Sequence, residues 1–243
     1  MEYRYFKYNS SNIIDAIKET KNIIIPIGAI EAHSEHLPLD TDNQLVEYYS
    51  NELAKSTNSL VMPVINYGAV WSLSEAPGSI DIGNAALVRM LKKIIVSLEK
   101  NGAKMVTLAS AHFGNIDACK QAARELYRKH DIKVIYLTYP DIKNNLYMFD
   151  VVNTHSLYLH ACEVETSMMM YVNNKDVDHM KLSKGIIDVP LETSYTPTKW
   201  TEFTDNYIIG DARKSTYEKG EKIFNIIIKN ASKIISEEKE KLS

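Results

Sequence analysis

Histidines and carboxylates gather in three stretches of the chain. The first runs Gly28-Ala29-Ile30-Glu31-Ala32-His33-Ser34-Glu35-His36-Leu37-Pro38-Leu39-Asp40-Thr41-Asp42, and the second is Ser110-Ala111-His112-Phe113-Gly114-Asn115. The third, His155 to Ser167, contains His160, Glu163 and Glu165. Five of the chain's 7 histidines fall in these stretches, while His130 and His179 stand in charged surroundings and read as surface residues. Neutral imidazole nitrogens with carboxylate oxygens form the donor set of zinc, manganese or ferrous iron. In extended backbone Glu31 and His33 share one face, because side chains repeat every second residue. A turn through Pro38 then brings Asp42 back to the same point, where its two oxygens suit it to bridge two ions. A competing reading has these polar residues satisfying one another and capping helices, with no metal.

The elements that must position these residues are legible in the hydrophobic pattern. Ile23 to Ile27, ended by Gly28, is a short β-branched run that reads as a buried strand. Val61 to Ile65 is a poorer copy, whose Pro63 suggests a sheet edge or a strand start. Leu87, Met90, Leu91, Ile94, Ile95 and Leu98 recur at helical spacing from Asn84 to Lys100, and Asn101-Gly102 is a natural stop. Lys104 to Ser110 and Lys133 to Leu137 are further strands, with a helix from Asp117 to His130 between them. Glu163 to Val172 and Tyr217 to Lys241 complete the helices.

Strands alternating with helices predict an α/β fold, a three-layer α/β/α sandwich around a largely parallel sheet. In such sheets ligands bind beyond the carboxyl ends of the strands, here just after Ile27, Ile65, Ala109 and Leu137. Two of those four places hold the first two clusters. Trp71, Ser72, Glu75 and Ser79 follow the second strand, where Trp71 either selects a flat substrate or packs at a subunit contact. Trp200 lies in a Thr- and Pro-rich stretch, as a lid on the site or a contact with a neighbour.

The composition is that of an ordinary globular chain: 243 residues, 45% hydrophobic and 24% charged, enough for one compact domain over residues 1–243. Twenty-eight basic against 31 acidic residues leave a net charge of −3, which argues against a coat for nucleic acid or an anionic membrane. Cys119 and Cys162 cannot form a disulfide framework, Met1 to Tyr8 has no apolar core, and no apolar run approaches a membrane span. A cytoplasmic protein is expected.

The clusters also carry a family resemblance. Glu31-Ala32-His33-Ser34-Glu35-His36-Leu37-Pro38 with Thr41-Asp42 resembles the creatininase family signature E-x-H-G-x-H-L-P-x-x-T-D, and Ala76-Pro77-Gly78-Ser79-Ile80 its P-G-T segment. Ser110 to Asn115 stands where the family has N-G-H-G-G-N, and His160-Ala161-Cys162-Glu163-Val164-Glu165-Thr166-Ser167 is similar to H-A-G-x-x-E-T-S. Gly210-Asp211 and Glu218-Lys219-Gly220 fit its C-terminal pattern, so the likeness covers nearly the whole chain in order.

The resemblance implies one α/β/α domain and a metal-dependent amidohydrolase, often hexameric, with one or two divalent ions (Zn, Fe(II) or Mn). It carries the metal ligands over to Glu31, His33, Asp42 and His112. The remaining carboxylate ligand of creatininase falls on Gly114, which leaves Glu165 as the substitute ligand or as a carboxylate supporting His112. His160 matches the acid/base histidine. Amide cleavage needs a proton delivered to a poor amine leaving group, and imidazole does this near neutral pH, whereas the plainer reading has His160 holding a loop.

His36 reads as support. Ser34, Ala111 and Cys162 replace family glycines, and Cys162 reads as packing. Leu159 stands where creatininase has a carboxylate, which with Gly114 argues against creatinine as the substrate. The expected substrate is a small amide or formamide, cyclic forms included. A peptidase of a modified precursor peptide and a non-catalytic metal-binding scaffold are the alternatives.

Overall fold

A computed structural model describes residues 2–145 and 158–242, so His155 lies outside the described residues. Four strands, β1 (Asn22–Ile27), β2 (Leu60–Val61), β3 (Met105–Ser110) and β4 (Lys133–Leu137), form a sheet of order β2-β1-β3-β4 in which every pair is parallel. β1 and β3, at the centre, are buried along their whole length. Their side chains divide between the two faces with period two, as strands covered on both sides require. Ile24, Met105 and Ala109 join one core, while Ile23, Ile25, Ile27, Val106 and Leu108 join the other.

Helices α2 (Thr41–Thr57), α6 (Glu163–Asn173) and α7 (Tyr217–Glu240) cover the first face. Helices α1 (Ile13–Thr20), α3 (Asn84–Lys100) and α4 (Ile116–Leu126) cover the second. A one-turn helix α5 (Ile142–Asn145) follows β4. The expected three-layer sandwich is therefore the observed one, with a sheet parallel throughout its described strands. Among the described residues no helix is long and apolar enough to cross a membrane.

The boundaries differ where tertiary contacts compete with local pattern. β2 has two residues because Pro63 offers no N–H; beyond it, Ile65 makes only an isolated bridge to Ile27. That strand is at the edge, as its proline suggested. α4 ends at Leu126, and the expected last turn to His130 is irregular. Helix α2 carries Leu45, Val46, Tyr49, Leu53 and Ala54 into the core at helical spacing, a pattern that the chemistry-rich Thr41-Asp42 had overshadowed. A buried polar chain ties the central strands to the end of α2. Thr107 Oγ1 donates to Asn22 Oδ1 (3.0 Å), Asn22 Nδ2 donates to Ser59 Oγ (3.0 Å), and Ser59 Oγ meets Thr57 Oγ1 at 2.8 Å.

Helices α6 and α7 pack at closest approach through Gly220, where an added Cβ would lie 2.0 Å from the Ser167 carbonyl oxygen. Gly220→Ala must therefore push α7 away from α6, and overpacking of this kind costs about 1–3 kcal/mol. Equilibrium denaturant unfolding is expected to show that loss; a midpoint equal to that of the parent chain would contradict this packing.

Candidate metal centre

The loop after β1 supplies the first donors. Glu31 N–H donates to the Leu39 carbonyl (3.0 Å) and Ala32 N–H to Ser79 Oγ (2.9 Å), which pins the loop at both ends. Ser34 takes a left-handed backbone, φ 66°, at one of the three positions where a family glycine is replaced. That conformation costs a non-glycine residue about 1–2 kcal/mol. Ala111 and Cys162 have ordinary backbones, so they need no glycine. The chain turns at Pro38, whose carbonyl accepts the Thr41 hydroxyl (2.6 Å), and enters α2 with Asp42 in its first turn.

The other donors come from β3 and α6. His112 follows β3 directly, its N–H and carbonyl both held by the Ser110 hydroxyl. His160 precedes α6, and Glu165 lies in the first turn of that helix with its Oε2 accepting Ala161 N–H (2.6 Å). All six residues, Glu31, His33, Asp42, His112, His160 and Glu165, are buried.

The imidazoles share one arrangement. His33 Nδ1–H donates to the Glu31 carbonyl (3.1 Å), His112 Nε2–H to the Ala69 carbonyl (2.9 Å), and His160 Nε2–H to the Ala32 carbonyl (2.9 Å). Each bond selects a tautomer and turns the other nitrogen's lone pair toward a carboxylate. His112 Nδ1 stands 3.1 Å from Glu31 Oε2 and 3.2 Å from Asp42 Oδ2. His33 Nε2 stands 3.7 Å from Asp42 Oδ1 and 4.0 Å from Glu165 Oε2, and His160 Nδ1 lies 3.7 Å from Glu31 Oε2.

Lone pairs facing carboxylate oxygens in a buried site repel unless a cation lies between them. Glu31 Oε1, His33 Nε2 and Asp42 Oδ2 are all buried without a hydrogen-bond partner. Donor atoms of Glu31, Asp42 and His112, of His33, Asp42 and Glu165, and of Glu31, His33 and His160 each fall within 4.8 Å of one another. The residues fit divalent metal, and Glu31, His33 and Asp42 each belong to two of the three groups.

The electrostatics follow from burial and mutual proximity. Burial would raise the Glu31 carboxyl, but the charges of His112, His160 and His33 outweigh it and hold it at about 2. Burial would lower His112 too, but Glu31 and Asp42 raise it well above the usual imidazole range. Glu165 is pushed up to about 7 chiefly by burial, and His160 is pushed down to about 4 by burial and by His33.

Gly114, on which the missing carboxylate falls, has no room for a side chain. A Cβ there would lie 2.3 Å from His112 Nε2 and 2.4 Å from the Ala69 carbonyl. Glu165 enters the donor groups from α6 instead. His36 stays outside them: its Nε2 meets Thr166 Oγ1 (2.9 Å) and ties the β1 loop to α6. Burial pushes the Cys162 thiol up to about 12, which suits packing.

A cavity of about 730 Å³ opens on the cluster, lined by Glu31, His112, His160 and Glu165 together with Trp71, Ser72, Tyr158 and Trp200. Trp200 stands edge-on to the His160 ring at 5.2 Å and to Tyr158 at 5.8 Å, so it covers the site of its own chain. Glu75 is instead paired with Lys199, and Ser79 supports the backbone at Ala32. Asp81, Asn84 and Asp117 also line the cavity and were missed in the sequence. Their signal was position, since Asn84 and Asp117 open helices that start beside strand ends. A larger cavity, about 900 Å³, lies by Lys104, Lys133 and Tyr127 near the amino ends of β3 and β4. Its one histidine, His130, is engaged by Glu99, so the donor cluster and not cavity size locates the chemistry.

Buried imidazoles and carboxylates at the strand ends of a parallel α/β sheet make the donor set of a divalent-metal enzyme site. The family model creatininase, described as creatinine amidohydrolase, matches residues 7–235, and the chain belongs to the creatininase family, a family of metal-dependent amidohydrolases. It is 26% identical over 243 aligned positions to the creatinine amidohydrolase of Pseudomonas putida, covering 89% of each chain. It is likewise 26% identical over 211 positions to the mycofactocin precursor peptide peptidase of Mycolicibacterium smegmatis, covering 83% of this chain and 79% of the relative. A solved creatininase variant of Zn-Zn type superposes with a TM-score of 0.83 at 22% identity, covering 98% of both chains, which shows the shared fold.

A methyl group at position 114 would displace the His112 ring from the Ala69 carbonyl. Gly114→Ala is therefore expected to retain less divalent metal than the parent chain when both are purified without chelator. Equal metal content by elemental analysis would show that His112 does not need that clearance.

Proposed function

We propose that this chain hydrolyses a C–N bond, an amide or formamide, in a small substrate, cyclic forms included. The observation that carries this reading is the set of three imidazoles, each anchored through one N–H to a backbone carbonyl and aimed through the other nitrogen at Glu31, Asp42 and Glu165. Glu31, Asp42 and His112 would hold one divalent ion, and His33, Asp42 and Glu165 a second, of zinc, manganese or ferrous iron. Such an ion, when bound, polarises a carbonyl and acidifies water.

His160 is the proton carrier in this reading. Burial keeps its ring neutral near pH 7, and Nδ1 is the nitrogen free to take up a proton and hand it to the departing amine. The Ala32 carbonyl and the Trp200 edge fix the ring for that transfer. Asp42, drawn from a different element than Glu31 and His33, keeps the two donor groups in register. A cavity of about 730 Å³ suits a small molecule. Gly114 and Leu159 both favour a substrate other than creatinine, and a short modified peptide is the second candidate because of the peptidase relative. We also propose a homo-oligomer, a hexamer by the family resemblance; light scattering is expected to exceed the monomer mass severalfold, and a stable monomer at working concentration would refute it.

His160→Asn removes a proton-transfer group and, in this reading, no coordination bond. On whichever amide of a formamide, cyclic-amide and peptide panel proves to be the substrate, kcat is expected to fall by ~10²–10⁴-fold. Metal content should stay at the parent level. Loss of metal would make His160 a ligand, and unchanged turnover would move the proton carrier elsewhere.

A further inference from the structure

The carboxyl ends of β1 and β3 carry donor side chains. Among the described residues that of β4 carries none, and brings Tyr139 instead, just beyond Leu137. Tyr139 takes a left-handed backbone, φ 42°, and its carbonyl accepts Ile142 N–H (3.1 Å) across a tight turn through Pro140. That conformation is unfavourable for an aromatic residue and persists where the surrounding contacts hold it. The residue is 2% exposed, and its ring stands edge-on to Tyr49 at 5.7 Å and to Phe113 at 6.2 Å.

Those two contacts place Tyr139 against the donor cluster. Tyr49 follows Asp42 by two turns of α2, and both are buried on the face of that helix that meets the core. Phe113 directly follows His112, whose Nδ1 is 3.2 Å from Asp42 Oδ2. Tyr139 is therefore wedged between a neighbour of Asp42 and a neighbour of His112, behind the cavity wall and outside its lining.

The Tyr139 hydroxyl is buried without a hydrogen-bond partner. A phenylalanine would fill the same space, and a buried hydroxyl left without a partner is destabilising. Burial pushes its ionisation well above the usual phenol range, and the Asp42 and Glu165 carboxylates push it further, so the group keeps its proton and is an O–H donor. The Tyr49 hydroxyl is also buried and unpartnered, but burial alone pushes it up. Two similar tyrosines thus differ in one respect: Tyr139 faces carboxylates of the donor cluster, and Tyr49 does not.

We propose that Tyr139 is a positioning residue of the metal centre. Its hydroxyl donates, directly or through one bridging water, to the Asp42 carboxylate and fixes how that carboxylate presents its oxygens. This rests on the reading of the cluster as a divalent-metal site. Asp42 enters two donor groups, with Oδ1 toward His33 and Oδ2 toward His112. A rotation of its carboxylate therefore disturbs both groups at once. Hydrogen bonds to a ligating carboxylate act on metal affinity in this way, typically by ~10–100-fold.

Competition for zinc between the zinc-loaded full chain and a chromophoric chelator tests this, with Tyr49→Phe as the comparison. Tyr139→Phe keeps the ring and removes one oxygen. Its zinc affinity is expected to fall by ~10–100-fold, while Tyr49→Phe holds zinc as tightly as the parent chain. With cobalt(II) in place of zinc, the visible absorption bands report the arrangement of the donors. They should shift in Tyr139→Phe and match the parent in Tyr49→Phe. Parent-like zinc affinity in Tyr139→Phe, an unshifted cobalt spectrum, or equal losses in the two variants would each overturn the proposal. A parent chain that takes up neither zinc nor cobalt would overturn the metal-site reading and the proposal with it, so the parent alone tells the two failures apart.

Discussion

Three carboxylates buried within a few ångströms of one another set the constraint on which the site and its supports depend. Glu31, Asp42 and Glu165 are 1–3% exposed, and isolated charges there would be costly. The protein does not neutralise them with lysine or arginine. It surrounds them with imidazoles whose remaining hydrogens are already committed to the carbonyls of Glu31, Ala32 and Ala69. Those carbonyls belong to backbone, so the lone pairs hold their direction as long as the loops keep their path. Protons satisfy such a cluster only partly, as the raised His112 and the depressed Glu31 show by leaning on each other. A divalent ion satisfies it better, because one charge centre answers several oxygens and nitrogens at once.

Holding the loops is the task of residues that never touch the cluster. Asn115 bridges three segments: its Nδ2 donates to the Gly28 carbonyl (3.0 Å) and to Ser110 Oγ (3.2 Å), and its Oδ1 accepts Ala69 N–H (2.9 Å). The backbone can approach this closely at Gly68, where a Cβ would lie 2.5 Å from Asn115 Oδ1. The Ala69 carbonyl, positioned by that clamp, then orients His112. On the opposite side of the sheet order, His36 and Thr166 fasten the β1 loop to the start of α6, where Glu165 emerges. A small cluster of Ala29, Ala32, Val70, Leu73 and Ala76 packs between these loops and keeps them dry.

Within the family, the departures of this chain form a consistent set. Gly114 lies so close to His112 that no side chain fits, and the donor that enters the second group comes from α6. A donor supplied by a helix terminus is positioned by the packing of α6 on α2 and α7 and not by the β3 loop. Leu159, buried beside His160, places an apolar side chain next to that ring and leaves it to the Ala32 carbonyl and Trp200. Both changes act on the shape and charge of the cavity while keeping the imidazole–carboxylate core.

The amino-acid sequence alone determined the layers and most of the site. β-branched runs such as Ile23 to Ile27 suit strands covered on both faces, as in a parallel sheet between helices, and the 3.6-residue rhythm from Asn84 to Lys100 gives one covered helix face. Residue types so uncommon in a core as Glu31, His33 and Asp42, grouped next to a strand end, announced chemistry for the same energetic reason. Tertiary structure decided what spacing cannot express. It put Asp42 at the start of a helix the chemistry had hidden, chose each imidazole's tautomer through a carbonyl of a neighbouring segment, and brought Glu165 and Trp200 across more than a hundred residues to His33 and Asp81's cavity. These are contacts between distant segments, set by helix packing and loop closure, and no local periodicity encodes them.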